Sequence, residues 1–231
     1  MYDWCTLPQP AQARTEGHAT SFNFYNGLRR RAEQQRPLRI ALVGAGKFGA
    51  MFLSQCRRTP GMHVAGIADL RRERAAASLA RVGWAAEQYA APSLERALAD
   101  GSTFLTEDAS ALIGHSGIEI VIEATGDPLA GCAHALQGIA AGKHVVMVNV
   151  EADALAGPAL ALRAARAGVA YSLAYGDQPA LICELVDWAR SVGLEVVCAG
   201  KGTKYLPQYH ASTPDTVWGH YGFSEEMVAD G

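Results

Sequence analysis

The chain has 231 residues, of which 49% are hydrophobic and 19% charged, and its formal net charge is −3. That length and apolar content suit one α/β domain plus part of another, with a sizeable buried core. The near-balanced charge excludes a general attraction for nucleic acid or acidic lipid, and no apolar stretch reaches the ~18 residues of a membrane span. Residues 1–20 are polar and contain Pro and Gln, without the apolar run of a signal peptide. Five cysteines, Cys5, Cys56, Cys132, Cys183 and Cys198, are scattered without C-x-x-C spacing. They read as buried small hydrophobes of a reduced compartment, not as disulfides or metal ligands. The expectation is a cytoplasmic protein with no nucleic-acid and no membrane partner.

Residues 1–36 read as an arm followed by a helix from Ser21 to Gln35, with Phe22, Tyr25 and Leu28 on one face. The run Arg29-Arg30-Arg31 solvates the end of that helix, and Pro37 breaks it. From Leu38 apolar strands alternate with helices, which implies a parallel sheet covered on both faces. The strands are Leu38–Val43, His63–Ala68, Thr103–Leu105, Ile118–Glu123, His144–Asn149 and Val169–Tyr175. The helices between them are Ala50–Cys56, Arg71–Val82, Asp108–Ile113, Pro128–Ala141 and Ala159–Ala167. Lys143 reads as a dipole partner of a helix C-terminus. A further helix, Ala180–Ser191, and a strand, Leu194–Cys198, follow.

The first strand runs into Gly44-Ala45-Gly46-Lys47-Phe48-Gly49, a G-x-G-x-x-G turn opening a helix. Gly44 permits the tight turn, Gly46 lets a pyrophosphate approach the backbone, and Gly49 lets the helix pack close to the sheet. The unpaired N–H groups of the helix N-terminus, those of Lys47 and Phe48 included, then face the phosphates. Asp69 ends the second strand, 25 residues after Gly44, where a carboxylate accepts from the adenosine ribose hydroxyls. Arg71 and Arg72 follow, and a guanidinium there pairs with a 2′-phosphate. Asp69 favours NAD and the arginines favour NADP; the reading here is NADP, with NAD as the alternative. Ligands of such sheets lie beyond the carboxyl ends of the strands, which places the turn Glu123-Ala124-Thr125-Gly126 beneath the nicotinamide ribose and Asn149 beside the nicotinamide end.

Lysine is rare: the only lysines are Lys47, Lys143, Lys201 and Lys204, two of them within Gly200-Lys201-Gly202-Thr203-Lys204-Tyr205. A compact ammonium flanked by glycines suits binding of an anionic group or protonation of an alkoxide. Asp177, in Gly176-Asp177-Gln178-Pro179, either caps the next helix or faces the active site. His210 and His220 match no metal-ligand template, and the sequence marks out no metal-binding residue.

The segments Val145-Val146-Met147-Val148-Asn149-Val150, Gly176-Asp177-Gln178-Pro179 and Lys201-Gly202-Thr203-Lys204-Tyr205 resemble, in order and rough spacing, those of the homoserine dehydrogenases. Gly176 to Ile182 and Gly200 to Pro207 look more like the deoxyxylulose-phosphate reductoisomerase-like members of that group. Val150 stands where homoserine dehydrogenases carry a lysine, and Lys201 and Lys204 stand where they carry asparagines. The resemblance therefore implies NADPH-linked reduction of a small phosphorylated or carboxylated carbonyl substrate, and it leaves room for a divalent metal.

The expected fold class is α/β, a Rossmann doubly wound parallel sheet with the start of a second, incomplete α+β domain. Residues 37–175 form the dinucleotide-binding domain and 176–231 part of a substrate and dimerisation domain, which implies a homo-oligomer. Lys201, Lys204 and Asp177 are the expected catalytic residues. The acidic residues and lysine that complete the family's site lie beyond the last matched motif, so the chain reads as a truncated form of a longer protein. The rival readings are a dinucleotide-binding module without catalysis and a homoserine dehydrogenase proper.

Overall fold

The computed structural model describes residues 23–174, 178–200, 206–213 and 215–221. The chain divides into two compact units, residues 1–174 and 175–231. The first element described in the first unit is α1 (Phe24–Glu33), whose N-terminus is capped by the Asn23 side chain. Six strands follow: β1 (Leu38–Val43), β2 (Met62–Ala68), β3 (Phe104–Thr106), β4 (Ile120–Glu123), β5 (His144–Met147) and β6 (Tyr171–Leu173). They form one parallel sheet in the order β3-β2-β1-β4-β5-β6. The chain winds outward from β1 to β3 and then returns to β4 on the other side of β1. This reversal opens a crevice between the carboxyl ends of β1 and β4.

The helices cover both faces, as a parallel sheet requires. α2 (Lys47–Cys56) and α3 (Arg72–Arg81) lie between β1, β2 and β3 in the chain. Leu53 of α2 and Leu79 of α3 are fully buried against Ile40, Leu42 and Ile67. The alternate residues of β1, Ala41 and Val43, pack with Val121 against Leu112 and Ile113 of α5 (Ala109–Gly114). Beyond them α6 (Pro128–Ala140) and α7 (Val150–Ala167) contribute Ala135, Ile139, Leu160 and Ala164 to a layer with Val145, Met147 and Tyr171. The period-2 alternation along β1 thus sends successive side chains into different helical layers.

Several elements depart from the sequence-based expectation. α2 begins at Lys47, directly on the glycine turn, where Ala50 was expected. α7 begins at Val150, nine residues before the expected Ala159. The Asn149 side chain caps it by accepting from Ala152 N at 3.1 Å, Glu151 and Asp153 complement its first turn, and Pro158 is carried inside. A 3₁₀ turn (Ala86–Tyr89) and a short helix α4 (Leu94–Asp100), capped by Ser93, occupy a stretch for which no element was expected. Lys143 meets a helix C-terminus, that of α5 at its C-cap His115, but from a buried position. It is 7% exposed and donates to the carbonyls of His115 and Ile118 at 2.9 and 2.8 Å.

In the second unit, α8 (Gln178–Ser191) is followed by a 3₁₀ turn (Pro207–Ala211) and a short helix α9 (Val217–Tyr221). Leu194–Cys198, expected as a strand, is irregular: it joins no ladder among the described residues, and Leu194 and Val197 are exposed. An apolar run without a ladder partner has nowhere to place its backbone hydrogen bonds as a strand. The His220 ring packs near Tyr209 with centroids 5.9 Å apart, and its Nδ1 lies 2.6 Å from Ser212 Oγ.

Candidate cofactor cleft

The turn after β1 is built from three glycines with different duties. Gly44 has φ +95°, and a Cβ there would lie 2.5 Å from the Ala124 carbonyl oxygen, so the turn passes directly over the end of β4. A Cβ on Gly49 would lie 2.6 Å from the Gly44 carbonyl oxygen, so this glycine sets how closely α2 approaches β1. At Gly46 the only atom of the described residues within 4 Å of an added Cβ is an Arg74 guanidinium nitrogen, at 3.4 Å. Gly46 is also the N-cap of α2 and provides no side-chain cap. The first-turn N–H groups, including those of Lys47 and Phe48, are therefore left for an anion. This cradle fits the pyrophosphate of a dinucleotide.

Beside it lies a cleft of about 240 Å³. Its wall includes Gly44, Gly46, Asp69, Ala124 and Thr125, so the structure brings together residues that the sequence placed at three different strand ends. Asp69 is turned inward. Its side chain is 6% exposed, Oδ2 accepts from Ala45 N at 2.9 Å and Oδ1 from Arg71 N at 3.3 Å. Arg71 is the N-cap of α3, and neither it nor Arg72 lines this cleft or the groove beside it. The guanidinium that does so is that of Arg74, with Nε 3.9 Å from Asp69 Oδ2. Lys47, Arg74 and Arg81 also line a groove of about 740 Å³ between α2 and α3, with no acidic side chain among its lining residues.

The turn after β4 is braced from below. Glu123 is fully buried, and its Oε1 accepts from Thr125 Oγ1 at 2.6 Å, Thr125 N at 3.3 Å and His134 Nδ1 at 3.2 Å. Thr125 Oγ1 accepts in turn from Asp127 N and from Asn149 Nδ2, both at 3.4 Å. Asn149 is 2% exposed and also donates to the Asp127 carbonyl at 2.7 Å. In this arrangement Asn149 serves as a strut between the two turns and as the cap of α7. Gly126 has φ +82° and open space around it, at the point where the chain turns towards α6.

Sequence reasoning missed Arg74, Glu107 and His134, all of which line the cleft, and read Glu123 only as the first residue of the turn after β4. The one available signal was spacing: Arg74 and Arg81 lie seven residues apart and so share a face of α3. Asp177, Lys201 and Lys204 lie outside the described residues. Among the described residues no three His, Cys, Asp or Glu side chains are grouped to hold a metal ion. No helix among them is long and apolar enough to cross a membrane.

Residues 38–148 match the GFO/IDH/MocA oxidoreductase family, NAD-binding Rossmann fold, and residues 176–230 match the catalytic domain of oxidoreductase DRL. No curated protein matches the chain. Among solved structures, an NAD-binding oxidoreductase from Klebsiella pneumoniae is similar, with a TM-score of 0.50 and 22% identity over 68% of this chain and 39% of that one. A homoserine dehydrogenase from Thiobacillus denitrificans is similar with a TM-score of 0.52 and 21% identity, over 67% of this chain and 34% of that one. The chain thus covers well under half the length of these structures, and at such identities the likeness is one of fold. Residues 38–148 thus form a Rossmann fold that matches the GFO/IDH/MocA oxidoreductase model, followed in sequence by a segment that matches the DRL catalytic-domain model.

Proposed function

We propose that the chain is the cofactor-binding part of an NADPH-linked oxidoreductase that reduces the carbonyl of a small phosphorylated or carboxylated substrate. The observation that carries the cofactor half of this reading is the uncapped α2 N-terminus at Gly46 with the Arg74 guanidinium beside it. Main-chain N–H groups there would hold the pyrophosphate. Lys47 and Arg74 would meet a 2′-phosphate. Asp69 is the acceptor expected to select a free 2′-hydroxyl, but each of its oxygens already accepts a main-chain N–H and its charge faces Arg74. When bound, the dihydronicotinamide supplies a hydride.

The substrate half rests on the sequence. Lys201 and Lys204, in the segment matched to the DRL catalytic domain, would neutralise an anionic substrate group or the alkoxide formed on reduction. Asp177 would stand at the start of the following helix, facing the reacting carbonyl. The motifs around Gly176 and Lys201 favour a reductoisomerase-like over a homoserine-type substrate, because Val150 carries no exchangeable proton.

Calorimetric titration of the purified protein with NADPH and NADH tests the cofactor half. The expected result is micromolar NADPH binding, at least about 10-fold tighter than NADH, with the preference lost in Arg74→Ala as one charge-assisted phosphate contact disappears. Equal affinity for the two cofactors overturns the NADPH reading. Binding of neither overturns the cofactor reading altogether.

A further inference from the structure

We infer that His134, held by the buried Glu123, is a binding residue of the cleft, and that its Nε2 accepts a hydrogen bond from a hydroxyl or amino group on the adenosine half of the dinucleotide. The inference rests on the dinucleotide-binding reading and goes beyond it by naming a recognition group on α6, away from the glycine turn.

Glu123 ends β4, in register with Val43 of β1 on one side and Met147 of β5 on the other. A carboxylate among such neighbours is costly to bury unless it is hydrogen-bonded. All of its described partners converge on one oxygen: Thr125 Oγ1, Thr125 N and His134 Nδ1 point at Oε1, while buried Oε2 has no partner. With Glu123 ionised, Oε1 can only accept, and it takes the Thr125 N–H, the Thr125 hydroxyl and the facing nitrogen of His134. Nδ1 of His134 therefore carries the proton that faces Oε1, and in the neutral ring Nε2 is left as an acceptor on the far side.

That ring belongs to the wall of the cleft. His134 lines it with Asp69, Leu70, Glu107, Ala109 and Thr125, and its side chain is 18% exposed. The cleft runs from Asp69 and Leu70 at the end of β2, where the ribose of the adenosine half is held in such a sheet, to Thr125 after β4, and the β2 side places it at the adenosine half. Asp69 and Glu107 on the same wall already accept main-chain N–H groups and Arg74 there is a donor, which leaves Nε2 as the acceptor for a ligand donor such as a ribose hydroxyl or the adenine amino group. Glu123 is the positioning residue: it turns the imidazole so that its acceptor, not its N–H, meets the ligand.

The test uses ADP-ribose, which has the adenosine half and pyrophosphate but no nicotinamide, titrated calorimetrically into the full chain and three His134 variants. His134→Asn puts an amide N–H where Nδ1 stands, so it keeps the bond to Glu123 and removes Nε2. His134→Gln reaches the Nε2 position with its amide oxygen, and His134→Ala removes both groups. The expected result is that H134N melts within about 2 °C of the parent yet binds ADP-ribose about 5- to 10-fold more weakly, as loss of one hydrogen bond predicts. H134Q should recover most of that loss, and H134A should match or exceed the loss in H134N. Parent-like binding by H134N overturns the inference, because His134 would then serve Glu123 alone. Should H134N fail to fold, equal weakening in H134Q and H134A overturns the Nε2 role. Should the parent bind NADPH but not ADP-ribose, the same variants are compared with NADPH under the same expectations; failure of the parent to bind either overturns the dinucleotide reading itself, an outcome distinct from the others.

Discussion

Cys56, the last residue of α2, is 4% exposed among Leu53, Leu79 and their neighbours, and burial pushes its thiol up to about 11. A thiol reacts as its thiolate, so Cys56 is inert while the chain is folded. Cys183 and Cys198 are exposed. Alkylation at pH 8.5 should label both within the time that leaves Cys56 unmodified, and denaturant should then release Cys56; labelling of Cys56 at the same rate in the native state would contradict its burial. The raised value also has a sign in stability. The stabilisation is complete below the ordinary value of 9.0 and is lost as pH rises through about 11. Urea unfolding at pH 8 and pH 10 should therefore show about 1 kcal/mol more loss in the parent than in Cys56→Ala. The arginines teach a different lesson at this scale. The sequence shows that guanidinium groups follow Asp69, but which of them faces the cleft depends on the helix phase of α3. Arg71 takes the N-cap position without a side-chain cap bond and lines neither cavity, whereas the Arg74 guanidinium lies beside Gly46.

At the scale of elements, the glycine turn joins fold and site through residues that separate cleanly by substitution. Gly49→Ala places a methyl group 2.6 Å from a main-chain oxygen, whereas at Gly46 only a flexible guanidinium, 3.4 Å away, has to give. Gly49→Ala should lower the unfolding free energy by about 1–3 kcal/mol, the usual cost of overpacking. Gly46→Ala should leave it within about 0.5 kcal/mol of the parent while weakening dinucleotide binding, because the added methyl stands where a phosphate approaches. Urea unfolding and calorimetry on the two variants check this, and the reverse ranking of stability would sink it. The sheet was legible in the sequence because each of its strands is a short apolar run ended by Gly, Asp, Glu or Asn. α7 was less legible, since Pro158 hides the continuity of Val150–Ala167 and the Asn149 cap becomes visible only when its side chain meets Ala152 N. His134 was illegible for a related reason. Its meaning comes from Glu123, eleven residues earlier on a neighbouring element, and no local pattern reports that contact.

At the scale of the molecule, the first unit is closed at the amino ends of its strands by a charge network that reaches α1. Glu119, just before β4, accepts from Arg31 of α1 at 3.0 Å and from Arg39 of β1 through its N–H at 3.0 Å and its Nε at 3.3 Å. Arg31 therefore does not merely solvate a helix end: it fastens α1 to the floor of the sheet, opposite the cofactor cleft. Burial acts to raise the Glu119 carboxyl, but the Arg39 hydrogen bonds and then the Arg31 and Arg39 charges outweigh it, and the net shift is downward. A lowered carboxyl contributes stability that is present above the ordinary value of 4.5 and lost as pH falls through the folded value. The groups are about one-third exposed, so solvent screening limits the contribution to about 1 kcal/mol. Glu119→Gln keeps an oxygen for the Arg39 N–H and removes the charge. It should be less stable than the parent by that amount at pH 7, and the gap should close as the pH is taken below 4. Because α1 is the element released, limited trypsin digestion should cut Glu119→Gln at Arg29–Arg31 several-fold faster than the parent while the sheet stays intact. Equal cutting rates together with equal stability at pH 7 would mean that α1 is held by the close approach of Leu28 to Gly61, not by the Arg31–Glu119 pair.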